Sequence, residues 1–219
     1  MPASKGLCVV IPMKNPQHSK QRLSSVLDSS ERQSIAMILF SQTLAFLREH
    51  FSHLDVLVVT PSQRIADFSQ SFGAKSLLHR EGGLNGSLSA AAAWCRHEGY
   101  SGQLTLPADI VELDAEELQL LIDSTGDAPC VTLCPADDGG TNALLTSPAD
   151  VISFSYGYNS SKRHADAARA QGITPQVLTL PLLAFDLDTP CDYQQLCERQ
   201  DLSASALTQH NLPSGRLHL

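Results

Sequence analysis

The sequence of 219 residues contains no hydrophobic run long enough to cross a bilayer, which takes about 20 apolar residues. Its hydrophobic content of 42% and charged content of 17% are typical of a folded soluble protein. Residues 1–5 lead directly into the apolar stretch Gly6–Ile11 and do not resemble a cleavable signal segment. We therefore expect a cytoplasmic protein with no membrane partner.

The sequence also lacks the cysteine spacings that mark metal sites and disulfide frameworks. Its six cysteines form no C-x-x-C pair and no ligand-like spacing with histidine. Several lie inside apolar runs, where a free cysteine behaves as a small buried hydrophobe. This pattern argues against structural zinc and against a disulfide framework; the cysteines are Cys8, Cys95, Cys130, Cys134, Cys191 and Cys197.

A surplus of basic residues is missing as well, since the formal net charge is −8. Nucleic-acid binding needs a basic face, so this balance argues against a nucleic-acid partner. The first 27 residues nevertheless contain no acidic residue, and the first acid is Asp28. A purely basic segment in an acidic chain predicts a local anion site; its cations are Lys5, Lys14, Lys20 and Arg22.

The first predicted strand, Gly6–Ile11, is followed by neither of the two common glycine-rich phosphate loops. G-x-G-x-x-G and G-x-x-x-x-G-K-[ST] are both absent there, so dinucleotide-binding and P-loop interpretations lose their main support. The basic loop Met13–Ser25 follows instead. Lysine and arginine on such a loop can hold a polyphosphate, although a simply solvated loop is the alternative.

Predicted strands and helices alternate along the chain, which is typical of an α/β fold with a mostly parallel sheet and helices on both faces. The domain is predicted to span residues 1–201, with residues 202–219 as a tail. One helix is predicted over Ser87–His97, and short strands over Asn142–Thr146, Val177–Leu180 and Ala184–Leu187. Because the last strands are short and irregular, we expect one of them to be antiparallel.

Two carboxylate groups are predicted at strand ends. Asp109 closes the stretch Leu104–Asp109, and Asp114 is available as the cap of the next helix, so Asp109 is free for a metal. Asp186 and Asp188 project to the same side of a strand because side chains alternate. The three carboxylates together could form an oxygen-only Mg²⁺ site. The alternative for Asp188 is a place in the cap of the final helix.

Hydrogen-bond donors for an anion are predicted in two other loops. The turn Gly139–Asn142 offers backbone N–H groups and a hydroxyl, although it is also consistent with an ordinary turn. Ser160 begins a helix, where it could either bind a phosphate or simply cap the helix. No chemistry is assigned to His164.

The loop Gly82–Asn85 permits close approach of a base or ribose.

Taken together, six stretches resemble one family, the 2-phospho-L-lactate guanylyltransferases of coenzyme F-420 biosynthesis, and occur there in the same order. The resemblance covers nearly the whole chain up to about Leu196. The stretches are Ile11-Pro12-x-Lys14 with Ser19-Lys20-x-Arg22-Leu23; Gly83-Leu84-Asn85; Leu106-Pro107-Ala108-Asp109; Gly140-Thr141-Asn142-Ala143-Leu144; Phe154-x-x-Gly157-x-x-Ser160-x-x-x-His164; and Asp186-x-Asp188-Thr189-Pro190.

The resemblance implies a single-domain, Rossmann-like nucleotidyltransferase of the GT-A-like type, built as a three-layer sandwich. Such enzymes join the GMP part of GTP to 2-phospho-L-lactate, phosphoenolpyruvate or 3-phospho-D-glycerate and release pyrophosphate. Two departures from the family pattern are Ile110-Val111, where Leu-Pro is usual, and Asp138-Gly139, where Gly-Thr is usual.

The site residues expected from motifs and resemblance fall into four groups. Lys14, Lys20 and Arg22 would stabilise the leaving pyrophosphate, and Asp109 would act with them in catalysis. The remaining sets are Pro12, Lys14, Gly83, Asn85 and Asp109 for the nucleotide; Thr141, Gly157 and Ser160 for the phospho-acid; and Asp109, Asp186 and Asp188 for Mg²⁺.

Two other functions are considered beside this one. A related nucleotidyltransferase would act on a sugar phosphate or a molybdopterin. A non-catalytic regulator would bind the nucleotide without turning it over. A homodimer is the assembly that we consider, and the sequence does not decide it.

Overall fold

A computed structural model describes residues 5–126 and 129–200 of the chain. Seven strands form one sheet in the order β3-β2-β1-β4-β6-β5-β7. The strands are β1 Lys5–Pro12, β2 Asp55–Thr60, β3 Lys75–Leu78, β4 Tyr100–Thr105, β5 Cys130–Pro135, β6 Thr141–Ser147 and β7 Gln176–Val177. The helices are α1 Ser29–His50, α2 Gln63–Gln70, α3 Gly83–His97, α4 Ala115–Asp123, α5 Ser160–Ala170 and α6 Pro190–Gln200, with 3₁₀ turns at Pro16–His18 and Gln21–Ser25.

The sheet is mostly parallel, as the alternating pattern predicts. Only β6 runs antiparallel to both of its neighbours, β4 and β5. Its register pairs Thr105 with Leu144 and Gln103 with Thr146. The start of β6 therefore lies at the same edge of the sheet as the end of β4, and side chains from both strands meet there.

Helices cover both faces of the sheet and create two apolar layers. One layer packs α1 side chains such as Phe40 and Leu44 against Val9 and Ile11 of β1. The other packs Leu88 of α3 and residues of α5 against the opposite face. Burial at a rate of about 25 cal/mol per Å² makes these two layers the main stabilising contribution.

A third, smaller cluster packs the loop after β1 against the segment that contains Leu187 and helix α6. Leu23 in the second 3₁₀ turn and Leu187 are both fully buried, and Leu196 of α6 packs with them. This contact brings the basic loop and the segment around Asp188 together, although they are far apart in sequence.

Three predicted elements differ from those observed. Helix α3 begins at Gly83, four residues before the predicted start, so the predicted Gly82–Asn85 loop is largely the first turn of the helix. The predicted strand Val177–Leu180 is reduced to β7, Gln176–Val177. Ala184–Leu187 is not a strand, and only Asp186 forms an isolated bridge, to Ile110.

None of the helices within residues 5–126 and 129–200 combines the length and the apolar character that a bilayer crossing requires. The predicted tail, 202–219, lies outside the described residues.

Candidate active site

A cleft of about 630 Å³ opens at the sheet edge where β1 and β4 end and β6 begins. The loops after β1 and β4, the start of α3, the turn before β6 and the start of α5 all contribute to its lining. The predicted residues on its walls are Pro12, Lys14, Lys20, Arg22, Gly83, Asp109, Thr141, Gly157, Ser160, Asp186 and Asp188. Asn85 is the predicted site residue that does not line the cleft.

The three predicted carboxylates converge on one wall of the cleft. The segment after β4 pairs with the segment before α6: Val111 N–H donates to Phe185 O and Leu187 N–H donates to Asp109 O, both at 3.3 Å. This short antiparallel pairing holds Asp109 beside Asp186 and Asp188. One oxygen from each carboxylate lies within 4.8 Å of the other two.

Asp114, not Asp109, caps the helix that follows β4. The Asp114 carboxylate accepts from the N–H groups of Glu116 and Glu117 at 2.9 Å each. Asp188 likewise takes no part in the cap of α6 through its carboxylate, since Thr189 Oγ1 accepts there from Asp192 N–H. The carboxylates of Asp109 and Asp188 are therefore free of helix capping and face a cation instead.

That cation is the ammonium of Lys20. Its Nζ donates to Asp109 Oδ2 at 2.6 Å and to Asp188 Oδ1 at 3.0 Å, and its side chain is only 3% exposed. Burial by itself lowers the pKa of Lys20, but Asp109 and Asp188 outweigh burial and raise this pKa above its ordinary value. Lys20 is therefore a buried, charged lysine.

The backbone at Lys20 is unusual for a residue with a side chain. Its φ of 52° and ψ of 36° lie in the left-handed region, which costs a non-glycine residue roughly 1–2 kcal/mol. The ion pairs with Asp109 and Asp188 require the side chain to point inward, and they offset this cost.

Asp186 is the carboxylate without a lysine partner. Burial, together with the charges of Asp109 and Asp188, raises the pKa of Asp186 to about 7. Asn142 at the start of β6 donates from Nδ2 to Asp186 Oδ1 at 3.4 Å and to Leu183 O at 3.0 Å. Asn142 thus holds Asp186 toward the other two carboxylates.

The three carboxylates fit a hard divalent cation. Mg²⁺ prefers oxygen ligands, and proteins commonly hold it with one or two carboxylates plus phosphates of the substrate. The raised pKa of Asp186 shows that its negative charge is poorly compensated in this arrangement, so a second positive charge is favourable there. The sequence grouped these three residues because Asp109 follows a predicted strand and because Asp186 and Asp188 alternate along another, although the latter segment forms only an isolated bridge, from Asp186 to Ile110.

The other two basic residues of the loop after β1 are more exposed. Arg22 is 69% exposed, and its Nη1 lies 4.0 Å from Asp188 Oδ2. Lys14 lines the cleft and has no carboxylate within ion-pair distance among the described residues. Lys14, and Arg22 with its single long contact to Asp188, can thus meet an anion that enters the cleft.

On the opposite wall, Thr141, Ser160 and His164 form a buried hydrogen-bonded group. Thr141 Oγ1 lies 3.0 Å from Ser160 Oγ and 3.1 Å from His164 Nδ1. The antiparallel direction of β6 places Thr141 here, and α5 supplies the other two side chains. Sequence reasoning named Thr141 and Ser160 but assigned His164 no chemistry, since the polar sequence of α5 gives little sign that His164 is buried.

Ser160 is not the cap of α5, contrary to one of the two interpretations above. The N-cap is Asn159, in a left-handed conformation and without a side-chain cap bond. The Ser160 hydroxyl is therefore available to Thr141 and to the cleft.

The N–H groups of Gly139 and Gly140 in the turn before β6 are not available to bind an anion, contrary to one of the two interpretations of this turn. Gly140 N–H donates to Asp138 Oδ1 at 2.7 Å, and Gly139 N–H donates to Ala136 O at 3.0 Å. Both N–H groups are used to fold the turn, and Asp138, the departure from the family pattern, serves that purpose. The donors on this wall are consequently the hydroxyls of Thr141 and Ser160.

Gly157 lies between these hydroxyls and the rim of the cleft. Its φ is +121°, which a residue with a Cβ rarely adopts, and a Cβ here would meet Arg163 Nη2 at 3.3 Å. The turn therefore depends on glycine, and it brings the Arg163 guanidinium close to the backbone of Gly157.

Asn85 links the two walls and does not face the cleft. Its Oδ1 accepts from Tyr156 N–H at 2.7 Å, and its Nδ2 donates to Tyr156 O at 3.4 Å. Its amide is thus committed to the protein, which argues against the predicted contact with the nucleotide. The first turn of α3 is instead tied to the loop that carries Gly157.

Comparison with known proteins agrees with this geometry. Residues 7–201 match the family described as "Guanylyl transferase CofC like". A 3-phospho-D-glycerate guanylyltransferase of Colwellia psychrerythraea is 43% identical over 201 residues, which is 92% of this chain and 94% of that protein. A phosphoenolpyruvate guanylyltransferase of Rubrobacter xylanophilus is 33% identical over 188 residues, or 85% of this chain and 91% of that protein.

A solved structure supports the fold. A protein of Desulfovibrio desulfuricans G20, provisionally described as a nucleotide-diphospho-sugar transferase, superposes with a TM-score of 0.72 at 17% identity, covering 95% of this chain and 96% of that one. This likeness confirms the expected α/β nucleotidyltransferase fold. Because the family match and the 43% identical relative both span nearly the whole chain, this chain belongs to the CofC-like guanylyltransferases.

Proposed function

We propose that this protein transfers GMP from GTP to a phosphorylated three-carbon acid in coenzyme F-420 biosynthesis, with 3-phospho-D-glycerate as the first candidate. The observation that carries the proposal is the two-walled cleft. One wall groups three carboxylates around the Lys20 ammonium, and the other offers the hydroxyls of Thr141 and Ser160. A nucleoside triphosphate fits the first wall, and a small anionic acceptor fits the second.

The transfer needs no covalent intermediate on the protein. A phosphate oxygen of the acid attacks the α-phosphorus of GTP, and the bond from that phosphorus to the bridging oxygen of pyrophosphate breaks. The product is a guanosine diphosphate diester of the acid. Because both reactants are anions, the protein's contribution is to hold them in line and to balance their charge.

The chain's own cations are placed for that task. Lys14 and Arg22 are exposed at the cleft and free to bind the pyrophosphate oxygens. Lys20 is fixed by its two ion pairs and keeps Asp109 and Asp188 together. Asp109, Asp186 and Asp188 would hold Mg²⁺, which supplies charge neutralisation at the triphosphate when bound.

The wall that carries Thr141 and Ser160, called the acid wall below, suits a phosphorylated acid as the acceptor. Hydrogen bonds from neutral hydroxyls to a charged oxygen contribute about 1.5–3 kcal/mol each. Thr141 and Ser160 line the cleft from β6 and α5, whereas the basic loop reaches it from the end of β1. We therefore assign them, with Gly157, to the phospho-acid and not to the nucleotide.

The names of the relatives support the choice of 3-phospho-D-glycerate as the first candidate. The 43% identical relative is named for 3-phospho-D-glycerate and the 33% identical one for phosphoenolpyruvate. In 3-phospho-D-glycerate the phosphate and the carboxylate are one carbon further apart, and a free hydroxyl lies between them. We expect the higher identity to reflect an acid wall suited to that longer substrate.

Pyrophosphate release tests the proposal. Purified protein with Mg²⁺ is incubated with GTP, ATP, CTP or UTP and with each of the three acids. Pyrophosphate release is measured, and the mass of the product is determined by mass spectrometry. The expected result is pyrophosphate release with GTP and 3-phospho-D-glycerate, together with a product of the mass of the diester. Release with a sugar phosphate and with none of the acids would overturn the proposal.

A further inference from the structure

The starting observation is that both ring nitrogens of His164 are committed to the protein. His164 is completely buried, with 0% of its surface exposed. Ser155 N–H donates to Nε2 at 2.9 Å, and Nδ1 lies 3.1 Å from Thr141 Oγ1. A backbone N–H can only donate, so Nε2 must be the unprotonated nitrogen, and a neutral ring carries its proton on Nδ1.

The surroundings keep the ring neutral. Burial and the nearby charge of Arg163 lower the pKa of His164 to about 4. The Tyr156 ring packs against the imidazole edge to face, with 4.8 Å between the ring centroids. Burial also raises the pKa of Tyr156, so neither ring carries charge at neutral pH.

With the proton on Nδ1, the direction of the hydrogen bond between His164 and Thr141 is determined. His164 Nδ1–H donates to Thr141 Oγ1, which occupies one lone pair of that oxygen. The hydroxyls of Thr141 and Ser160 carry two protons between them, and the 3.0 Å bond that joins them uses one. One O–H remains, and both residues line the cleft.

We propose that His164 is a positioning residue that orders the Thr141 and Ser160 hydroxyls so that one O–H of the pair donates into the cleft and thereby selects an anionic acceptor. A phosphate or carboxylate oxygen can only accept at this point, so it matches the ordered proton. The inference rests on the proposed function, since it identifies the acceptor with the phospho-acid. His164 acts through Thr141 and does not touch the substrate.

A double-mutant cycle on kinetics tests this role. His164→Phe keeps a planar ring but removes both nitrogens, and Thr141→Val removes the hydroxyl while it keeps the shape. We expect H164F to raise KM for 3-phospho-D-glycerate about 10-fold with KM for GTP unchanged. In the T141V background the same change should have little further effect, because the contact through which it acts is gone.

Additive effects in the cycle, or an equal rise in KM for GTP, would overturn the positioning role. His97→Phe is the matched control. His97 is an exposed histidine at the end of α3, with its side chain 85% exposed, and it lies away from the cleft, so H97F should leave both KM values unchanged.

A second measurement needs neither activity nor a variant that folds. Long-range ¹H–¹⁵N spectra of the wild-type protein report which ring nitrogen carries the proton. We expect His164 in the Nδ1–H form at neutral pH, with or without substrate. A proton on Nε2, or a doubly protonated ring, would overturn the proposal even if the guanylyltransferase assay succeeds. If that assay fails for every acid, the tautomer still tests the hydrogen-bond order.

Discussion

At the scale of single residues, the site depends on charges that are balanced within the protein. Lys20 has two carboxylates within 3.0 Å and adopts a left-handed backbone to reach them. Asp186 has no direct ion pair with Lys20, and burial together with Asp109 and Asp188 raises the pKa of its carboxyl to about 7. We therefore expect substitutions of Lys20 and of Asp186 to have different effects, although the two side chains lie in the same cluster.

Asp109→Asn should abolish turnover while the fold stays intact. The substitution removes a charge from the proposed metal ligands, and we expect a loss of roughly 10³-fold or more in kcat. Far-UV circular dichroism should change little because Asp109 caps no helix, whereas the melting temperature should fall because the buried Lys20 loses one of its two ion-pair partners. The measurement is pyrophosphate release over a range of Mg²⁺ concentrations.

Asp114→Ala is the control for that variant. Asp114 caps α4, so its loss should lower the free energy of unfolding by about 1 kcal/mol and leave kcat near that of the wild type. A D109N enzyme with normal kcat at saturating Mg²⁺ would contradict the assignment of Asp109 as a ligand.

Lys14→Ala and Lys20→Ala should differ, although both residues belong to the same basic loop. Lys14 is exposed, so K14A should raise KM for GTP without changing the melting temperature. Lys20 is buried between two half-exposed carboxylates, and its removal leaves their charges uncompensated, although solvent screens part of that cost. K20A should therefore lose stability as well as activity, as thermal unfolding would show. Equal melting temperatures for the two variants would contradict this account.

At the scale of secondary structure, the first turn of α3 connects the two walls of the cleft. Gly82 begins this turn with φ of +71°, and a Cβ there would lie 2.9 Å from Gly86 Cα. The turn presents the Asn85 amide to the Tyr156 backbone. The loop that carries Gly157 is thereby held by the start of α3.

Asn85→Ala should weaken binding of the acid although Asn85 does not line the cleft. It leaves two backbone groups of Tyr156 without partners, at a cost of about 1–3 kcal/mol if they stay buried. Isothermal titration with 3-phospho-D-glycerate and thermal unfolding measure the two effects. Asn85→Asp, which keeps the acceptor for the shorter bond, should be less affected, and an N85D variant worse than N85A would contradict this role.

The helices and most strands are predictable from periodicity and caps, whereas the contacts that complete the site are not. Asp109 could be found because a strand ends in front of it and Asp114 is available as the helix cap. Asn85 was interpreted as a loop residue since glycines at 82 and 83 disfavour helix. His164 could not be found, because its burial comes from long-range packing between α5, β6 and the loop at Ser155.

At the scale of the whole molecule, the reversal of β6 decides which residues share the cleft. In a fully parallel sheet the cleft edge receives only the carboxyl ends of strands. The antiparallel β6 adds a strand beginning, with Thr141 and Asn142, to that edge. One wall thus derives from parallel strands and the other from β6 and α5.

The free energy of unfolding should depend on pH through His164. Its pKa is about 4 in the folded protein and near 6.5 when unfolded, so the unfolded chain binds more protons between these values. Stability from this residue is fully present above about pH 6.5 and is lost as the pH falls toward 4, by on the order of 3 kcal/mol. The charge and the ring that face it belong to Arg163 and Tyr156, and burial raises the pKa of Tyr156.

Denaturant unfolding of the wild type and of His164→Phe across that pH range measures the effect. The wild type should lose more stability than H164F on acidification, whatever the starting difference between them. Parallel pH profiles would contradict the low pKa of His164.

The ion pairs of Lys20 also bear on how the protein matures in the cell. Because the ammonium already offsets one of the two negative charges of Asp109 and Asp188, the chain carries an internal substitute for part of the charge that a divalent cation brings. Synthesis and folding can then be complete before any metal is acquired, and metal loading becomes a separate, reversible event. A chelator should abolish the activity of such an enzyme without denaturing it, and added Mg²⁺ should restore the activity without a refolding delay.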